Sequence, residues 1–305
     1  MAARGRPWRT AIGTAVAVAL LAAVGPGCGA GSDDAGAGDD RLVVERVPNP
    51  RVADVATFAL ALGVDVGDPG VLAALAHHDL VVVDGETTDA ADVAALRDGG
   101  TIVLGYLSVG TLEPYRPWFA EAEAEGWLLE RWEQWDEWYA AIDQPGLRRL
   151  LLDEAERELA TGFDGLFLDN TDLGETHPEL ADDMAELVHA VHDLVGDERL
   201  LFTQNGDPFD PPLIDALDGW NLEDPSWTGD DGGYRPQPEA HRQAATDQIE
   251  RVATAGVLVT TTDYLDVADA GAVDDAVGRA CAAGAIPAVG PIELDRVPDP
   301  PVRCP

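Results

Sequence analysis

The sequence predicts one α/β domain, a (β/α)8 TIM barrel behind an N-terminal signal peptide and linker, and three observations carry that prediction. Short apolar runs alternate with helical patterns from residue 57 onward, which implies parallel βαβ units. Eight such runs can be counted by residue 290. The 305-residue chain is long enough for a closed eightfold barrel, which takes ~250 residues. A doubly wound open sheet is the alternative, but no G-x-G-x-x-G follows the first run, which weakens a dinucleotide-binding reading.

Strands are read at residues 57–63, 80–84, 101–110, 165–169, 200–205, 219–223, 257–263 and 286–290. Helices are read at 71–77, 90–97, 145–161, 178–195, 238–255 and 274–283, where apolar residues recur near helical spacing. Prolines at several starts and glycines near several ends fit helix boundaries. The third-to-fourth connection is the longest and holds Trp118, Trp127, Trp132, Trp135, Trp138 and Tyr139. Such rings stack on sugar faces, and they equally pack a loop onto a barrel. Residues 51–305 show no internal repeat and read as one domain.

Before the barrel comes an address. Arg4, Arg6 and Arg9 precede an apolar stretch at residues 11–24, too short for the ~20 residues that span a bilayer. Residues 1–28 therefore read as a signal peptide. Gly25-Pro26-Gly27-Cys28 resembles a bacterial lipobox, so the expectation is export, with a lipid on Cys28 tying the protein to a membrane; plain secretion is the alternative. Residues 29–50 begin with Gly, Ala, Ser and Asp and read as a flexible linker. Cys281 and Cys304 remain, and an even remainder in an exported chain predicts a disulfide pinning the C-terminal tail to the last helix.

Composition removes whole classes. Asp and Glu number 57 against 19 Lys plus Arg, a formal net charge of −38, which argues against a nucleic-acid partner. It permits a cationic ligand, although GC-rich coding and saline habitats also produce such acidity. There is no lysine, so Schiff-base, pyridoxal-phosphate and P-loop chemistry drop out. Ser32, Ser108 and Ser226 are the only serines, and none sits in a G-x-S-x-G elbow. His77, His78, His177, His189, His192 and His241 all fall in helices or loops. No catalytic metal is expected, because barrel metal sites use histidines at strand ends, and no cofactor is expected either.

In this fold the chemistry sits at the C-terminal ends of strands. Those ends carry Asp84, Tyr106, Ser108, Glu113, Asp169, Asn170, Asp172, Gln204, Asn205, Glu223, Asp224, Asp263 and Tyr264. Carboxylates gathered at one mouth raise one another's pKa and cost stability, so such a cluster points to function. Asp169 ends G-L-F-L-D and Glu223 ends G-W-N-L-E, where an apolar run turns acidic with no turn signal. Glycoside hydrolysis needs two carboxyls, one to protonate the leaving oxygen and one to attack or to activate water.

At these residues the chain resembles the bacterial endo-α-1,4-polygalactosaminidases, glycoside hydrolase family 114, over residues 57–294 or so. G-Y-L-S-V-G at 105–110, G-F-D-G-L-F-L-D at 162–169, Q-N-G at 204–206, N-L-E-D at 221–224 and T-D-Y at 262–264 are similar to family segments, in order. The resemblance implies Asp169 as nucleophile and Glu223 as general acid/base of a retaining enzyme. Asp84, Tyr106, Ser108, Glu113, Asn170, Asn205, Asp263 and Tyr264 are the candidates for binding substrate. It further implies a galactosamine polymer that is partly cationic. Thr111, where the family often has Glu, and Asn170, where it often has an apolar residue, depart from the pattern. A non-catalytic glycan-binding surface lipoprotein and a barrel glycosidase of another linkage are the alternatives.

Overall fold

The computed structural model describes residues 49–230 and 232–305. The expected signal peptide, Cys28 and nearly all of the linker lie outside the described residues. Eight parallel strands form one sheet: β1 (Phe58–Ala61), β2 (Leu80–Asp84), β3 (Ile102–Ser108), β4 (Gly165–Asp169), β5 (Leu200–Gln204), β6 (Gly219–Glu223), β7 (Leu258–Tyr264) and β8 (Ile286–Gly290). Each pairs with its neighbours in chain order. β8 returns beside β1, and the Gly63 amide donates to the Leu294 carbonyl at 3.0 Å, so the barrel is nearly closed.

The strands are legible because both faces are buried, which makes them continuous apolar runs. Side chains alternate between the two faces. Leu104, Tyr106, Phe167, Phe202 and Tyr264 share the inner cluster. Leu166, Leu168, Leu201, Trp220 and Val259 belong to the outer one, against the helices.

The helices are α1 (Pro69–Leu75), α2 (Ala90–Asp98), α3 (Phe119–Glu125), α4 (Pro145–Thr161), α5 (Leu173–Thr176), α6 (Ala181–Val195), α7 (Glu239–Thr254) and α8 (Ala270–Ala283). Pro145 opens α4, where its missing N–H has no helical partner to lose. Leu147, Leu151, Ala155 and Leu159 of α4 pack onto the outer face. The expected helix at 178–195 is a 3-10 turn, Pro178–Leu180, followed by α6. α8 begins four residues before its expected start at 274, because Asp269 accepts from the Gly271 and Ala272 amides.

Two additions stand at the C-terminal mouth. Between β3 and α4, Thr111–Leu112, Leu128–Trp132 and Glu137–Ala140 make a three-stranded antiparallel sheet. After β6, Trp227–Asp230 and Gly233–Pro236 form a hairpin. Cys281 of α8 and Cys304 form the expected disulfide across 23 residues. No helix among the described residues is long and apolar enough to cross a membrane.

Candidate active site

Three successive strands end in the same unusual way. Asn170, Asn205 and Asp224 follow β4, β5 and β6 with φ of 59°, 58° and 53°. Asn and Asp tolerate this left-handed region better than other L-residues, and held conformations of this kind gather at functional sites. Each turn carries the chain off just beyond an inward-facing side chain, so Asp169, Gln204 and Glu223 end side by side.

Asp169 accepts three hydrogen bonds. Tyr106 Oη donates to Oδ2 at 2.6 Å, while the Asn170 amide (2.7 Å) and Gln204 Nε2 (3.0 Å) donate to Oδ1. Glu223 accepts from Asn205 Nδ2 at 2.9 Å and from the Tyr264 hydroxyl. Asn205 Oδ1 in turn accepts from the Glu223 amide at 3.0 Å, which fixes the Asn205 amide in one orientation.

Burial pushes the Glu223 carboxyl up to about 7; the Asp169 charge adds to this, and the bonds from Tyr264 and Asn205 oppose it. Burial raises Asp169 too, against the pull of Tyr106, the Asn170 amide and Gln204. Asp172 is pushed up to about 7, by burial first and by Asp169 next. Asp224 reaches about 8, by burial and then by the Glu223 charge. The site is thus a set of competing acids in which Asp169 has the most donors.

These groups enclose a pocket of about 90 Å³. Tyr106, Asp169, Asn170, Asn205, Glu223 and Tyr264, all expected at the site, line it together with Asp172 and Gln204. Of its other walls, Trp132 and Trp135 belong to the aromatics singled out in the sequence as candidate sugar platforms, and the rest were not foreseen. Trp132, Trp135 and Glu137 come from the inserted sheet, and Leu62, Ile292 and Leu294 from the barrel seam. Trp132 stacks on Tyr139, ring centroids 5.6 Å apart at 9°. The signal for that wall was the run of aromatics in the longest connection. A chamber of about 390 Å³ adjoins it, shares Asp172 and Asn205, and is lined by Glu175, Asp182, Asp207 and Asp210.

Four expected binding residues are not among those lining the pocket. Asp84 and Glu113 are buried beneath Tyr115 and Arg116. Tyr115 Oη reaches both acids, at 2.9 and 2.8 Å. Arg116 Nε lies 2.5 Å from Glu113, and Arg116 Nη2 lies 3.4 Å from Asp84. Ser108 is buried behind Asn170, whose Nδ2 donates to Ser108 Oγ and Thr111 Oγ1, both at 3.0 Å. The two departures from the family pattern, Thr111 and Asn170, therefore touch each other. A Cβ on Gly110 would lie 1.9 Å from the Asn170 carbonyl oxygen, so this turn requires glycine. Asp263 lies between Thr262 and Tyr264, on the opposite face of β7, and accepts from the Ser226 and Trp227 amides at 2.8 and 2.7 Å. It anchors the hairpin.

Among the described residues no group of three or more His, Cys, Asp and Glu is arranged to hold a metal ion.

The raised acids have a consequence for stability. Glu158 is fully buried with neither carboxyl oxygen hydrogen-bonded, and burial holds its pKa well above the usual range. With Asp172 and Asp263 at about 7 and Asp224 at about 8, the folded chain keeps protons that the unfolded chain loses near pH 4. Below that pH both states are protonated and there is no penalty. As pH rises to about 8 the unfolded state gains, so stability falls. Calorimetry is expected to show Tm several degrees higher at pH 5.5 than at pH 8. A Tm that is flat or rises over this range contradicts the assignment.

A (β/α)8 barrel with two half-buried carboxyls on its C-terminal mouth, each held by phenol and amide donors, has the makings of a glycoside hydrolase. The chain belongs to glycoside-hydrolase family GH114, whose pattern matches residues 44–286. Its fold is similar to the glycoside hydrolase domain of PelA from Pseudomonas aeruginosa, at 24% identity and TM-score 0.69, covering 82% of this chain and 98% of that one. It is also similar to Aspergillus fumigatus Ega3, solved in complex with galactosamine, at 17% identity and TM-score 0.66, covering 85% and 97%. An uncharacterized protein of Deinococcus radiodurans is 28% identical over 236 residues, 72% of this chain and 75% of its own.

Proposed function

We propose that this chain is a retaining endo-glycosidase of α-1,4-linked, galactosamine-rich polymers, with Asp169 as nucleophile and Glu223 as general acid/base, working outside the cytoplasm. The observation that carries the reading is the unequal pair. Asp169 has three donors that favour its charge. Glu223 is pushed up to about 7 and so holds a proton near neutrality. Burial raises both acids, but Asp169 has more donors to its charge than Glu223, and an unequal pair of this kind is the pattern that assigns nucleophile and acid.

In the first step an Asp169 oxygen attacks the anomeric carbon while Glu223 gives its proton to the glycosidic oxygen, and the C–O bond breaks. In the second, Glu223, now a carboxylate, takes a proton from water. The hydroxide displaces Asp169 from the anomeric carbon, and both carboxyls return to their starting states. The galactosamine bound by Ega3 supports the sugar class. The net charge of −38 and the acid-lined chamber beside the pocket suit a polymer carrying free amines.

The test is a substrate panel read by proton NMR. Partly de-N-acetylated α-1,4-galactosaminan is expected to release oligomers whose first-formed reducing ends are α. First-formed β ends would mean inversion. Cleavage of neutral α-galactosides instead would move the enzyme to another linkage.

A further inference from the structure

We infer that Asn221, too deep to meet substrate, is a positioning residue: it fixes the Gln204 amide and thereby keeps the Asp169 carboxylate ionised. The inference rests on the reading of Asp169 as nucleophile. Gln204 pairs with Asn221 across β5 and β6, and Asn221 with Thr260 across β6 and β7. Asn221 and Thr260 are 0% exposed, and Gln204 and Thr262 are buried with them inside the barrel. Thr260 Oγ1 donates to Asn221 Oδ1 at 2.9 Å, and Thr262 Oγ1 does so at 3.3 Å. Asn221 Nδ2 donates to Gln204 Oε1 at 3.0 Å, and Gln204 Nε2 donates to Asp169 at 3.0 Å. Barrel interiors are dominated by branched apolar side chains; this layer is a chain of amides and hydroxyls.

The direction of that chain follows from its two ends. An ionised carboxylate only accepts, so Gln204 must turn its NH2 to Asp169. Its oxygen then takes a proton from Asn221, and the Asn221 oxygen takes protons from the two threonines. The other self-consistent arrangement reverses every link and needs a proton on Asp169. It also turns both threonine hydroxyl protons away from Asn221. Among the described residues neither hydroxyl has another hydrogen-bond partner, and a buried unmet donor costs about 1–3 kcal/mol. The threonines therefore hold the chain in the direction that suits a charged Asp169.

Around Asp169 stand Tyr106 from β3, Glu113 and Glu137 from the insert, Asp172 beyond β4, Glu223 from β6 and Tyr264 from β7. The surrounding carboxylates work against its ionisation, so the donors must oppose them.

The test compares Asn221→Leu, Gln204→Leu and the double variant on the polymer, with kcat and KM measured from pH 4 to 8. Losing a donor raises the pKa of Asp169, and the nucleophile must be ionised, so the acid limb moves up. Asn221→Leu is expected to lower kcat roughly tenfold, with KM changed less than about twofold. The acid limb of kcat/KM is expected to rise by about one pH unit. The double variant is expected to be no worse than Gln204→Leu alone, because Asn221 acts only through Gln204. Thr260→Val removes one donor without changing shape; it should shift the limb the same way by less, and it serves if Asn221→Leu does not fold. An unmoved acid limb in both variants, or losses that add in the double variant, overturns the inference and leaves Asn221 structural. Wild-type turnover by Asp169→Asn would instead bring down the nucleophile reading, and the inference with it, whatever Asn221 does.

Discussion

Asp169→Asn is expected to lower turnover by about four orders of magnitude while polymer affinity changes less than a few fold. The amide keeps the shape and can still meet Tyr106 and Gln204, but it cannot form the glycosyl ester. The same substitution reports on Glu223. The wild-type residue sits at about 7 partly because of the Asp169 charge, so removing that charge lowers its pKa, which carboxyl carbon NMR can follow. In the wild type Glu223 must carry a proton to act as acid. Activity is therefore expected to fall as pH rises through about 7. Turnover within tenfold of wild type in Asp169→Asn would place the nucleophile elsewhere. A Glu223 that titrates unchanged would show that the two carboxyls do not feel each other. If the wild type and Asp169→Asn both bind polymer and neither cleaves it, the chain is a glycan-binding protein.

Arg116→Leu is expected to cost about 3–5 kcal/mol in denaturant unfolding, one of the largest single losses in the fold. Arg116, Glu113 and Asp84 are almost wholly buried, their side chains 1–2% exposed. Burial works against the guanidinium charge, but Glu113 and Asp84 outweigh it and hold its pKa well above the usual value. Without Arg116, the two buried carboxyls that share the Tyr115 hydroxyl lose the cation that balances them. Glu113→Gln in the Arg116→Leu background is expected to recover part of the loss, since it removes one of the two buried negative charges that Arg116 balanced. A loss below about 1 kcal/mol would make this an ordinary exposed pair. Glu113 follows directly on the Thr111–Leu112 strand of the inserted sheet, so losing this cluster is expected to loosen the wall that carries Trp132 and Trp135.

What the sequence revealed follows the physics of each element. The barrel strands were readable because they are buried on both faces, and Asp169 and Glu223 stood out because each ends such a run as an acid, although Asp84 ends L-V-V-V-D in the same way and is tied instead to Arg116. Which strand-end residues reach the pocket was only partly readable. Asp263 sits one position from Tyr264, and in a strand one position is the other face. Asp84 and Glu113 point toward the mouth, but Tyr115 and Arg116 cover them, and nothing local in the sequence announces a buried cation from a long insertion. The inserted sheet escaped notice because its strands are two to five residues long, and one shifts register between Leu128 and Arg131. The role of Gln204 was hidden for another reason: it depends on register across three strands, which only the closed barrel supplies.

The central claim, a carboxylate pair that cuts a galactosamine polymer, is tested most directly by one comparison. Partly de-N-acetylated α-1,4-galactosaminan is incubated with the wild type and with Glu223→Gln, and the products are read by mass spectrometry. A ladder of oligomers from the wild type and none from the variant is the predicted result. An equal ladder from both, or none from a folded wild type at pH 5 to 7, would contradict it.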